Sequence, residues 1–265
     1  MAGDIKSVEK AMNLLDLLAE TRVPLTLQEI SVRSGYPKST VYGLLSTMRT
    51  FNVIEQDALS GKYYLGMHLF ELGNVVRASW DVIGAARKYM PAIAQTIGEN
   101  VGLWMYQDGE VICLYQQDTG NPMRIVTEAG TRFPLHCTAM GKAILTWMPD
   151  CDFRIHQMVR SDMMSVFTPH TITGEIPIKK EMERIRKNGV AIENGEHFIG
   201  LRGVSAPIFD SADFPRYALV VAGMFRSIKE ENFLKAAHMV WEACMNISRE
   251  MGYMKEYPAY CLKFE

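Results

Sequence analysis

Residues 27–46, LQEISVRSGYPKSTVYGLLS, leave room for little except two short helices joined by a tight turn. Thr26 is a capping residue with Glu29 three positions on, the spacing of a reciprocal capping box. Leu27 and Ile30 give the first helix an apolar face, and Ser31 is small where two helices must cross closely. Gly35 falls where the chain must turn, because a positive φ is cheap only for glycine. Pro37 suits the first turn of the following helix, which has no use for that N–H. At about 100° per residue the second helix sorts by face. Val41, Leu44, Leu45 and Met48 share one arc. Ser39, Tyr42, Gly43 and Ser46 share the opposite arc, with Lys38 and Arg49 along one edge and Thr40 and Thr47 along the other.

The outer arc is short, polar and free of acids. The whole stretch from Val32 to Ile54 holds no Asp or Glu, although the chain carries a net charge of −2. A chain that is not a polycation can meet nucleic acid only through a local patch, and a helix entering a major groove must not carry acids toward phosphates. Lys38, Ser39 and Thr40 also stand at a helix N-terminus, which favours a phosphate. Residues 53–65, VIEQDALSGKYYL, read as a strand, a turn at Ser60–Gly61 and a second strand: a wing with Lys62 near its tip. Glu55 and Asp57 within it weaken the electrostatic case locally. Before the motif, Val8, Met12, Leu15 and Leu18 mark a third helix. The DNA-facing set is then Ser39, Thr40, Tyr42 and Ser46 toward bases, and Lys38, Arg49 and Lys62 toward phosphates.

From Leu65 to about Lys88 helical spacing returns through Met67, Leu69, Phe70, Leu72, Val75 and Val76, a linker that serves either dimerisation or ordinary packing. Beyond it the pattern alternates. Helices are expected at Tyr89–Gly98, Cys137–Met148, Pro177–Asn188 and Ile228–Met251. Strands are expected at Val101–Met105, Val111–Gln116, Met123–Glu128, Val204–Phe209 and Tyr217–Gly223, with Asp108–Gly109 as a hairpin turn. The expectation is an α+β chain with an antiparallel sheet in its larger part, divided as 1–66, 67–88 and 89–265.

The five cysteines are scattered, odd in number and without a CxxC, which argues against a disulfide framework or a zinc ribbon. The first ten residues carry acids and no apolar run, unlike a signal peptide. The apolar stretch from Tyr217 to Phe225 is too short to cross a bilayer. A cytoplasmic protein with no membrane partner, no metal and no cofactor is expected.

Taken together, "YPKSTVYGLL", "YYLG", "PLHCTAMGKAIL", "FTPHTIT", "IRKNGVAIENGEHFIGLRGVSAPIFD" and "ISREMGY" make the chain resemble an IclR-family transcriptional regulator over about Ser7 to Gly252. Gly43 departs from the pattern, standing where an arginine or histidine is common. The resemblance implies a winged helix–turn–helix head and a GAF-like effector-binding domain. It implies dimers or tetramers on palindromic double-stranded operator DNA, and a small organic acid effector from catabolism. It leans toward members that sense sugar acids, and repression is the commoner family role.

The resemblance also places the effector against the sheet, beside the start of the "PLHCTAMGK" helix. Carried onto this chain, the pocket is Ile125, Phe133, Ala139, Met140, Glu193, Leu201, Gly203, Val220 and Ala222. Thr138 and Ala139 open a helix whose free amides can hold a carboxylate. Gly203 replaces a cysteine of some members, and Val220 and Ala222 replace hydroxyl residues, so the pocket reads as roomier and more apolar. Glu193 can accept hydrogen bonds from ligand hydroxyls but repels a nearby carboxylate unless it is protonated or paired. Arg202 is read as structural rather than as a carboxylate anchor. The alternative from another class is a thiol-based sensor or enzyme using Cys137 with His197, for which His136 and no third orienting group stand nearby in sequence.

Overall fold

The computed structural model describes residues 5–78, 81–122, 124–224 and 230–262. The chain forms two compact units, residues 1–80 and residues 81–265.

In the first unit, α1 (Lys6–Thr21), α2 (Leu27–Ser34) and α3 (Lys38–Thr50) precede an antiparallel hairpin of β1 (Ile54–Gln56) and β2 (Tyr63–Leu65). Thr26 and Glu29 form the capping box, and Gly35 ends α2 at φ 72°. Pro37 occupies the cap of α3 rather than its first turn, one position earlier than expected. Leu14, Leu18, Ile30, Val41, Leu45, Met48, Ile54 and Tyr63 make the core. Leu14 is buried in α1, whereas Val8 and Met12 are exposed, so the first turns of α1 contribute no buried side chain to this core. Leu25 bridges Tyr63 and adds an unexpected third partner to the wing. The helix α4 (Met67–Ala78) follows.

The second unit opens with α5 (Asp81–Ala86) and α6 (Met90–Ile97), and residues 79–80 between α4 and α5 lie outside the described residues. It is built on an antiparallel sheet of six strands, ordered β5 (Arg132–Pro134), β4 (Glu110–Gln117), β3 (Val101–Gln107), β8 (Tyr217–Met224), β7 (Leu201–Ile208), β6 (Ala191–Asn194). The β3–β4 turn is the expected two-residue one, with Asp108 at φ 52° and Gly109 at φ 91°. The helices α7 (Ala139–Trp147), α8 (Cys151–Arg160) and α9 (Glu175–Asn188) accompany the sheet, and α10 (Glu230–Glu250) is the long last helix.

Adjacent residues of one strand show that α7 and α10 lie on opposite faces. A Cβ on Gly203 would stand 3.7 Å from Cβ of Ala139 on α7. The guanidinium of its neighbour Arg202 lies 4.0 Å from the ring centroid of Phe233 on α10. Covered on both sides, β8 is buried over most of its length and reads as a continuous apolar run.

The expected strand at 123–128 is a correction. Met123 lies outside the described residues, and 124–128 is irregular. Its backbone is held by side chains instead of a ladder: Asn100 Nδ2 and Gln116 Nε2 donate to Ile125 O at 2.9 and 3.0 Å, and Thr127 N donates to Gln116 Oε1 at 2.7 Å. Ile125 O and Thr127 N are thereby taken from strand pairing.

Candidate DNA-binding face and effector site

On α3 the arcs fall as the periodicity demands. Val41, Leu45 and Met48 are buried, Leu44 is half-buried, and Ser39, Tyr42, Gly43 and Ser46 are exposed. Lys38 and Arg49 are exposed as well, and Thr40 is half-buried at the edge. A Cβ on Gly43 would meet nothing within 4 Å, so the middle of the outer face is bare backbone.

The two basic residues of the wing side are not equivalent to Lys38. Arg49 Nη1 donates to Gln56 Oε1 at 2.6 Å, and Gln56 Nε2 donates to Gly61 O at 2.8 Å. The helix α3 is thereby tied to the turn of the wing. Lys62 is half-buried, and its charge helps to hold the Glu29 carboxyl low, after the larger effect of the Thr26 hydrogen bonds. The acids of the wing have local duties. Glu55 accepts Met67 N at 3.0 Å, at the start of α4, and the Tyr64 hydroxyl at 3.1 Å. Asp57 accepts Ser60 N and Oγ, both at 2.6 Å, and these bonds lower its pKa.

In the second unit, register decides which residues share a face. Glu193 pairs with Gly203, and Gly203 with Ala222. Val220 pairs with Gly102, two residues from Trp104. Glu193, Leu201, Gly203, Val220 and Ala222 therefore stand on the α7 side, and they are joined there by Gly102 and Trp104, which the sequence reading missed. Ala139 and Met140 are buried beneath, in the same cluster as Trp104 and Val220, with Phe133 and Ala222 against it. Ile125 is half-buried, its carbonyl tethered by Gln116, the partner of Gly102.

Trp104 is 3 % exposed and stacks on Phe133 at 5.2 Å, yet its Nε1 has no hydrogen-bond partner. The His197 ring is edged by Phe133, Phe167 and Phe198 at 4.8, 4.6 and 4.2 Å. Glu193 Oε1 accepts His197 N at 3.1 Å. Burial pushes the Glu193 carboxyl up to about 7, against the His197 amide and, more weakly, Lys142 and the Ala139 amide; Glu196 adds to the rise.

Lys142, also unanticipated, is fully buried and donates to Glu181 Oε1 at 3.0 Å, Ile192 O at 2.6 Å and Glu196 Oε1. Arg184 completes the network by donating to both oxygens of Glu181 at 2.7 and 2.8 Å. The only signal for it in sequence is a lysine inside the apolar run AMGKAIL.

The thiol alternative fares poorly. Cys137 is buried, and desolvation, then Glu193 and Glu196, push its thiol far above the ordinary range. A nucleophile or sensor needs the opposite shift. His136 Nε2 faces Ser165 O at 3.0 Å. Among the described residues no group of three or more His, Cys, Asp or Glu could hold a metal, and no helix is long and apolar enough to cross a membrane. Arg202 packs over Phe233 on the far face, as a structural residue would.

Comparison with known proteins completes the description. A family profile described as "IclR helix-turn-helix domain" matches residues 7–58, and one described as "Bacterial transcriptional regulator IclR C-terminal" matches residues 75–249. The HTH-type transcriptional regulator KdgR of Escherichia coli is 31% identical over 259 residues, covering 96% of this chain and 95% of its own. The transcriptional repressor IclR of the same organism is 25% identical, covering 96% and 92%. The crystal structure of an IclR transcriptional regulator from Alicyclobacillus acidocaldarius superposes with a TM-score of 0.81 at 26% identity, covering 94% of this chain and all of that one.

Proposed function

The chain belongs to the IclR family of bacterial DNA-binding transcriptional regulators, and from that premise we propose that it is an effector-responsive repressor of a catabolic operon that senses a small organic acid such as a sugar acid. The observation that carries the reading is the outer face of α3: exposed, polar and without an acid from Val32 to Ile54. Ser39, Thr40, Tyr42 and Ser46 face bases; Lys38, Arg49 and Lys62 face phosphates, with Lys38 the cation least engaged elsewhere. Repression is supported by the role named for the related E. coli repressor IclR.

Met67, Phe70, Leu72 and Val75 leave apolar surface exposed on α4, which favours a homodimer through this helix, with a tetramer built from two such pairs. The division into a head of 1–66, a linker of 67–88 and an effector domain of 89–265, in the cytoplasm, goes with this reading. The effector lies on the α7 face among Ile125, Phe133, Ala139, Met140, Glu193, Leu201, Gly203, Val220 and Ala222. It acts by binding one arrangement of the paired heads better than the other.

Two measurements test the proposal. Operators are selected from random DNA with the full chain, and binding is followed against salt. Lys38→Ala should weaken binding and reduce the salt slope by about 1; an unchanged slope removes Lys38 from the interface. A thermal-shift screen against sugar, hydroxy, keto and aromatic acids should give one saturable rise, abolished by Gly203→Leu. Ordinary contacts at 3.5–3.7 Å around a Cβ on Gly203 leave room for a methyl group, and a leucine there would fill the site. A flat screen would contradict the effector class.

A further inference from the structure

The opening of α7 is the obvious place for an effector's carboxylate, but the chain already serves part of it. Thr138 Oγ1 accepts Gly141 N at 3.1 Å. The Ala139 amide acts on the Glu193 carboxylate, which is also fixed by His197 N at 3.1 Å. Glu193 is 3 % exposed and is paired with Gly203, whose α-carbon faces Ala139. A second carboxylate brought here would meet Glu193 and, beyond it, Glu196, with the buried Lys142 of opposite charge acting on Glu193.

An independent observation points to what a ligand must supply. The Trp104 indole, on the same face, holds a buried N–H with no acceptor. It lies over Gly102, where a Cβ would come within 2.5 Å of Nε1, and beside Val220. Buried donors are almost always paired.

We propose that Glu193 is the built-in anion of the effector site, filling the position at the α7 N-terminus, so that the effector is read there through hydroxyl donors while its carboxylate or carbonyl accepts from the Trp104 N–H. The inference rests on the reading of this face as the effector site. It assigns a polyhydroxylated acid, bound with its acidic end away from α7.

The test uses the purified full chain at pH 8, with acetate against chloride at matched ionic strength. Glu193→Ala removes roughly an acetate's worth of side chain. Its melting temperature should rise saturably with acetate, while wild type and Glu193→Gln stay flat. Equal stabilisation of wild type, or a folded Glu193→Ala that ignores acetate, overturns the built-in anion. A Glu193→Ala chain that folds only in acetate supports it; one that acetate does not recover, while Glu193→Gln folds, counts against it. Gluconate is the hydroxylated probe. It should stabilise wild type, and Trp104→Phe should weaken that response at least tenfold in midpoint concentration. An unchanged midpoint removes Trp104. Wild type indifferent to gluconate overturns the effector class, while the acetate result still decides the role of Glu193.

Discussion

The outer face of α3 and the α7 face of the sheet are built on opposite plans. The first is exposed, short-chained and contiguous in sequence, and its nearby acids are turned to capping and turn formation. The second is buried, assembled from separate strands and a helix, and has carboxylates, a lysine and an indole N–H inside it. A surface meant for a polyanion needs only to keep negative charge out. A site meant for a small molecule must hold polar groups in a dry place, where each group is stabilised by a partner or left waiting for one.

The largest expected effect attacks the buried side of this contrast. Lys142→Ala leaves Glu181 and Glu196 without their shared cation, and should cost the second unit about 3–5 kcal/mol in denaturant unfolding. The equivalent removal of an exposed cation from α3 should leave stability unchanged and alter only DNA binding. If Lys142→Ala unfolds like wild type, the network is not structural.

A second test uses pH, because Glu193 and the capping and turn carboxylates of the head titrate with opposite sign. Glu193 is raised from 4.5 to about 7 in the fold. Between those values the folded state binds the proton that the unfolded chain has lost, so this group's contribution to stability falls as pH rises and is flat above about 7. Glu196 is raised too and acts in the same direction. His136 and His197 are lowered by burial and oppose it, losing stability as pH falls through the ordinary histidine range. In the head, Glu29 and Asp57 are lowered, so their contribution is present above the ordinary carboxylate range and lost on acidification. Glu193→Gln should flatten the decline of the second unit between pH 5 and 7 and leave the acid limb of the head untouched. A decline that persists in full assigns it elsewhere.

The smallest effect is Thr26→Ala. It removes one half of the capping box of α2 and should cost about 1 kcal/mol in the head. No shift in head unfolding would mean the Glu29 contact substitutes for the hydroxyl.

The same contrast explains what sequence could and could not reveal. Thr26, Gly35, Pro37 and the arcs of α3 are local signals, and the structure places them within a residue of expectation. Glu193, Leu201, Gly203, Val220 and Ala222 are placed together by family resemblance; their sharing of a face rests on register across three strands. Trp104 shows the limit. Alternation puts it beside Gly102, but no pattern reveals that its N–H finds no acceptor. Residues 124–128 misled for a related reason: they look extended, yet Asn100 and Gln116, distant in sequence, take their backbone bonds. Lys142 stands out in sequence only as a lysine inside an apolar run, and its role shows once the carboxylates of α9 and of the loop after β6 are seen around it.

The chain of bonds from Arg49 through Gln56 to Gly61 has a consequence for the DNA itself. On the proposed DNA-binding reading, a helix and a wing fastened at this point would present a fixed stagger to the duplex. Each operator half-site should then behave as a gauge of set width: base changes within it are graded in effect, whereas one inserted or deleted base pair between the helix contact and the wing contact abolishes recognition outright.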